Sequence, residues 1–249
     1  MERPMTWLDD LPAIDLSTLN DAAARQSRVD RKYLLTLDEL TELGAHLGDC
    51  SVLEIAGQRS GGYSSLYLDT PDLQAYHLAG LERRRRFKVR IRTYASTGEQ
   101  YLEVKTRDGR GMTHKVRQLH DGSVPLSASA QGFVDTRLSS QGIVLTGPLE
   151  PVLTTSYERT TLYLPGDGAR ATLDLGVRFA TAGDEVALDN IAVVETKGGT
   201  RPTSFDRLLS ALGHRETRMS KYGVGMAALH PELHPEKWAA TMRRTLHLV

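Results

Sequence analysis

The sequence predicts an α+β, mainly β fold: an antiparallel sheet of seven or eight strands, closed or nearly closed into a barrel, with a polar cationic lumen and a few flanking helices. Three observations carry this. Segments with β-type alternation of apolar and polar residues recur from residue 63 to residue 198. Turn sequences such as STGE, DGR and PGDG separate several of them, as in antiparallel hairpins. The polar face of almost every such segment carries an arginine or lysine, and closing the sheet would gather these faces into one interior while removing its edges.

Taken in order, residues 1–27 show little periodicity and read as a loosely docked leader. The body, residues 28–229, opens with RVDRKYLL as a strand. TLDELTELGAHLG follows as a helix, with Leu37, Leu40, Leu43 and Leu47 at helical spacing and Thr36 as N-cap. Strands are then expected over residues 63–70, 86–94, 100–107, 111–119, 151–165, 169–179 and 191–198. The Ser/Gly/Ala-rich stretch 121–150 holds a loop and one helix, and TSFDRLLSALG at 203–213 is an amphipathic helix closed by Gly213. No repeat or linker divides the β run, so one domain is expected, with residues 230–249 as a tail.

Composition excludes some function classes. Lys+Arg and Asp+Glu number 31 each, so the chain is no polycation and any basic site is local. A single cysteine, Cys50, excludes an intramolecular disulfide and a cysteine-based zinc cluster. No apolar stretch reaches about 18 residues, and the N-terminus lacks a basic segment followed by an apolar run, so a cytoplasmic protein with no membrane span is expected.

The charges fall on one face of each strand. In RFKVRIRTY, Phe87, Val89 and Ile91 point one way and Lys88, Arg90 and Arg92 the other. Glu103, Lys105 and Arg107 share a face, as do Tyr157, Arg159 and Thr161, and as do Arg170, Thr172 and Asp174; Glu195 and Lys197 form another such pair, and Lys115 adds a cation. Arginine forks and lysine ammoniums suit phosphate oxygens. Carboxylates among them oppose phosphate unless they hold a divalent cation that bridges to it. The joint reading is phosphate plus metal, with Glu195 the first candidate ligand and Glu103 the second. Aromatic residues make up 6% of the chain, which does not favour a specific nucleic-acid reader.

In this order RVDRKYLL, SLYLDTPDLQAYH, RFKVRIRTY, LEVKTRDGRGMTHKVR, SYERTTLY, ATLDLGVRF, VVETKG and SKYGVGMAAL resemble the motifs of the VTC-type polyphosphate polymerase domain, a branch of the triphosphate tunnel metalloenzymes. The resemblance runs from about Arg28 to Leu229. It implies an eight-stranded antiparallel tunnel in which the terminal phosphate of ATP passes to a growing polyphosphate chain with the help of Mn²⁺ or Mg²⁺. It further implies catalytic roles for Lys32, Arg90, Arg92, Lys105, Lys115, Arg159 and Lys221, and substrate binding by Tyr157, Arg170, Lys197 and Ser220; substrate binding is also expected of Lys88, from its place on the charged face, and of Arg28. By the resemblance Glu195 would hold the metal, and Glu103 stays the second candidate. Related hydrolases begin with E-x-E-x-K, whereas Arg28, Asp30 and Lys32 stand at those spacings here, which favours the polymerase-like branch. The alternatives are hydrolysis of inorganic or nucleoside triphosphates on the same fold, and a non-catalytic module that binds polyphosphate or nucleic acid. The oligomeric state is left open.

Other features have plainer readings. RRRR at 83–86 is a solvated charge run, GQRSGG at 57–62 a turn, and Asp69 a capping residue. Asp174 is either the partner of an arginine or a neighbour of the metal.

Overall fold

The computed structural model describes residues 5–23, 29–234 and 236–247. After a 3₁₀ turn at Thr6–Asp10, the chain forms β1 (Ala13–Ile14), α1 (Leu16–Ala23), β2 (Val29–Thr36), α2 (Leu37–Gly44), β3 (Ser51–Leu53) and β4 (Ser60–Asp69). Next come α3 (Gln74–Gly80), β5 (Arg86–Tyr94), β6 (Gln100–Arg107), β7 (Thr113–His120) and α4 (Ala128–Ser139). The remainder is β8 (Glu150–Leu164), β9 (Ala169–Ala180), β10 (Glu185–Leu188), β11 (Ile191–Gly198), α5 (Ser204–Ala211), α6 (Lys221–Leu229) and short helical turns from Glu236 to Leu246. The fold is a mainly antiparallel sheet with flanking helices, as predicted.

Closure of the sheet differs from the expectation. The strand order is β2-β11-β9-β8-β4-β5-β6-β7, and its ends, β2 and β7, do not pair with each other among the described residues. The eight strands of this path therefore form an open sheet, not a hydrogen-bonded barrel. At the β2 end the Lys32 carbonyl instead accepts from the Thr217 amide at 2.7 Å, so a loop occupies part of that edge.

The residues group into two compact units. The first comprises residues 1–62, 157–177 and 188–218. Its core is built from alternate residues of its strands: Tyr33 and Leu35 of β2, Ala192 and Val194 of β11, and Ala171 and Leu173 of β9. These pack on Leu40 and Leu43 of α2 and Phe205 and Leu209 of α5. The period-2 alternation that buries these side chains turns their neighbours Lys32, Glu195 and Thr172 to the opposite face. Both helices start where the sequence places them. Thr36 closes a capping box with Glu39, and Thr203 closes one with Asp206, so early backbone amides of each helix are satisfied locally.

Part of the leader docks on the first unit. Within residues 5–23, Leu8 joins the core of this unit and β1 pairs parallel with β3. The Arg59 guanidinium donates to the carbonyls of Leu8, Asp9 and Leu11. These contacts lie far apart along the chain, where sequence periodicity carries no signal for them.

The second unit comprises residues 63–156, 178–187 and 219–249. Its frame is the meander β4-β5-β6-β7. Phe87, Val89, Ile91, Leu102 and Val104 are at most 3% exposed and form one face, against which α3 and α4 lie. Asp69 caps α3, accepting from the amides of Thr70, Ala75 and Tyr76 as well as from the Tyr222 hydroxyl. Helix α6 packs on α3 and starts at the N-cap Ser220, whose hydroxyl accepts from the Gly223 amide. A Cβ at Gly223 would overlap the Trp238 indole, so glycine there lets the C-terminal turns seat against the helix.

Candidate functional site

In the first unit the functional side chains follow from ladder register. Glu195 of β11 lies opposite Lys32 of β2 on one side and Thr172 of β9 on the other, and Lys197 lies opposite Asp30 and Arg170. The Lys32 ammonium donates to Glu195 Oε1 at 3.0 Å, and Lys197 Nζ lies 3.0 Å from Oε2. Arg159 donates through Nε and a terminal nitrogen to the two oxygens of Asp174, at 2.6 and 2.7 Å, and its guanidinium sits 5.1 Å from the Tyr157 ring centre. Asp174 is therefore an arginine partner.

These groups shift one another. Burial opposes the charge on Glu195, but Lys197, Lys32 and Arg159 outweigh it and hold the carboxyl well below its usual range. Burial also works against the Lys32 ammonium, yet Glu195 and Asp30 raise its pKa above the ordinary lysine value. For Lys197 burial prevails and the pKa falls, with Arg159 adding to the depression. The cluster is a set of partly buried cations held together by two carboxylates.

The second unit carries a different balance. On the face of the meander opposite α3 and α4 stand Arg86, Lys88, Arg90, Arg92, Lys105, Arg107, Lys115 and Arg117, with Glu103 as the one carboxylate in these three strands' pairs on that face. Like charges oppose one another directly: Arg86 pairs with Arg107, Lys88 with Lys105, and Lys105 with Lys115. Like charges directly opposed across a sheet are destabilising.

Glu103, 2% exposed, is the hub that this face retains. One oxygen accepts from Arg90 at 2.5 and 2.7 Å and lies 4.0 Å from Arg92; the other lies 2.6 Å from Lys115. Burial raises its pKa, but Arg90, Arg92 and Lys115 overcome that and bring it down to about 2. Burial, with help from Arg90 and Arg92 and against Glu103, lowers Lys115 to about 8. At the far end of β5, Lys88 donates to the Ser220 hydroxyl at 2.7 Å, which places Lys221, the first residue of α6, beside the face.

The predicted residues thus fall into two groups. Lys32, Tyr157, Arg159, Arg170, Glu195 and Lys197 lie in the first unit, and Lys88, Arg90, Arg92, Glu103, Lys105, Lys115, Ser220 and Lys221 in the second. Arg28 lies outside the described residues. Sequence reading missed Arg86 and Arg117, and also Tyr67, which accepts from Arg90 at 3.1 Å and stacks on Tyr222 with ring centres 5.0 Å apart. Alternation places all three on the charged face, but only the register shows what they meet.

As metal ligands, Glu195 and Glu103 are already committed, since each has both oxygens against cationic nitrogens. No group of three His, Cys, Asp or Glu that could hold a metal occurs among the described residues. A hard divalent ion takes six or more oxygen ligands, so this donor set does not fit a resident metal held by protein alone.

A model of the VTC domain family matches residues 27–230. A candidate adenylyl cyclase from Hippeastrum, described as having a dominant triphosphatase activity, shares the fold at 14% identity, covering 80% of this chain and 95% of its own with a TM-score of 0.50. Weaker structural matches include a candidate adenylate cyclase from Vibrio parahaemolyticus (15% identity, 79% and 97% covered, TM-score 0.43) and a protein from Pyrococcus horikoshii (16%, 78% and 96%, 0.43). The search of curated proteins finds no significant match. No helix among the described residues is long and apolar enough to cross a membrane.

Proposed function

Because the chain belongs to the VTC domain family, we propose that it is a polyphosphate polymerase, transferring the terminal phosphate of ATP to a growing polyphosphate chain. The observation that supports this best is the row Lys88, Lys105 and Lys115, three lysines in register across three strands. A polyanion laid along such a row offsets its positive charge. Extended phosphate chains supply negative charge at close intervals along such a row.

Phosphoryl transfer asks the protein mainly for positioning and charge stabilisation. A terminal phosphate oxygen of the acceptor attacks the γ-phosphorus, a new P–O–P link forms, the β–γ bridge breaks, and ADP leaves. No general base is required, because the attacking oxygen is already ionised. Within the first unit Lys32 and Arg159, and within the second Arg90, Arg92, Lys105, Lys115 and Lys221, are each suited to offset phosphate charge. Lys88, Tyr157, Arg170, Lys197 and Ser220 hold phosphates in place. A Mn²⁺ or Mg²⁺ ion enters as part of the metal–triphosphate substrate, since Glu195 and Glu103 do not form a metal cradle of their own.

The test is incubation of purified protein with ATP and Mn²⁺, with products resolved on a gel. Long polyphosphate chains are expected. Orthophosphate alone would mean that water is the acceptor and the protein a triphosphatase, and no turnover together with retained binding would mean a polyphosphate-binding module.

A further inference from the structure

One end of the charged face in the second unit is aromatic. Tyr63 of β4 lies opposite Tyr94 of β5, and Tyr101 of β6 lies opposite Arg92 of β5 and Leu119 of β7, so all five share the face of Lys88 and Arg90. The Tyr63 and Tyr94 rings are 5.2 Å apart and the Tyr94 and Tyr101 rings 5.8 Å. Two guanidiniums lie on this cluster: Arg92, 5.4 Å from the Tyr63 ring centre, and Arg117, 4.5 Å from that of Tyr101. Arg117 also donates to the Tyr94 hydroxyl at 3.2 Å.

The cluster is open to solvent. The three tyrosines are half-buried, Arg117 is exposed, and Leu119 in the same row is 68% exposed. The opposite end of the face is covered by α6, where Tyr222 stacks on Tyr67 and Ser220 meets Lys88. The face is therefore asymmetric, with stacking surfaces and an apolar rim at one end and cations running from them toward α6. From Arg92 to Lys88 is about 13 Å along the strand.

Cross-strand tyrosine packing alone would stabilise the sheet. It does not call for an exposed leucine and an exposed arginine stacked on the same rings. A repeating polyanion would use only the cationic part of the face, and a nucleic-acid strand would need stacking sites at successive nucleotides. A ligand with one planar ring and one polyanionic tail uses both parts. We propose that Tyr94, Tyr101, Arg117 and Leu119 form the nucleobase subsite of a nucleoside triphosphate, with its phosphates running along β5 from Arg92 toward Lys88. This orientation rests on the phosphate-transfer reading above and adds the base, which that reading leaves unplaced.

Binding of ATP and of inorganic tripolyphosphate to the wild-type chain and to the Tyr101→Ala and Tyr101→Phe variants, measured by calorimetry, tests it. Tyr101→Ala should weaken ATP roughly fivefold or more while tripolyphosphate stays within about twofold, and Tyr101→Phe should restore ATP binding. The tripolyphosphate arm reports whether each variant is folded. Loss of both ligands by the same factor in a variant whose circular dichroism matches wild type, or unchanged ATP affinity in Tyr101→Ala, overturns the base subsite alone. Failure of the wild-type chain to bind either ligand overturns the phosphate-transfer reading and the subsite together.

Discussion

Replacing Glu103 with glutamine removes the one carboxylate among eight cations while keeping side-chain size. The carboxyl pKa is drawn from an ordinary 4.5 to about 2, and Glu103 is 2% exposed. At about 1.4 kcal/mol per unit, that shift corresponds to about 3 kcal/mol of stability at neutral pH, within the range for breaking a buried ion pair. The sign follows from the depressed pKa: the contribution is complete above about pH 4.5 and is lost as pH falls toward about 2. Urea denaturation at pH 7 should show Glu103→Gln less stable than wild type by about 3 kcal/mol. The gap should close as pH is lowered through that window. Saturating tripolyphosphate should narrow it too, because the ligand supplies the missing negative charge and binds only the folded state. A deficit below about 1 kcal/mol at pH 7, or one that tripolyphosphate leaves unchanged, would refute the view of Glu103 as an internal stand-in for phosphate.

Three further outcomes are expected. Tripolyphosphate affinity should fall as pH rises through about 8, where the Lys115 ammonium loses its proton, and Lys115→Arg should abolish that step in a calorimetric pH series. Asp206→Ala should destabilise by about 3 kcal/mol or more in urea melts, since it removes the buried carboxylate on which Tyr33, Thr196, Thr203 and Arg31 converge. Gly223→Ala should displace the Trp238 indole, shifting tryptophan fluorescence and costing about 1–3 kcal/mol.

Much of the fold is legible because strands with one buried and one polar face write their period into the sequence. β5 matches its predicted limits, and its inward set Phe87, Val89 and Ile91 is the buried one. The capping residues Thr36 and Thr203 could likewise be read locally. Short elements could not: β1, β3 and β10 span two to four residues, too few for a period. Helix α3 escaped because its N-cap, Leu73, adopts a left-handed conformation and the capping is done by Asp69, five residues before the helix begins. For the site, alternation shows which residues share a face, but pairing partners depend on register. Alternation marks Glu195 and Glu103 as metal candidates, whereas their contacts place ammonium and guanidinium groups against both.

The reach of Arg59 to three carbonyls of the first dozen residues has a practical meaning for anyone shortening this protein. A chain begun at residue 28 would lose Leu8 from the greasy heart of its unit and leave the Arg59 guanidinium holding only Glu54. Exposed sticky surface of that kind finds its own kind, so the trimmed version should clump, visible as turbidity on gentle warming where the intact chain stays clear.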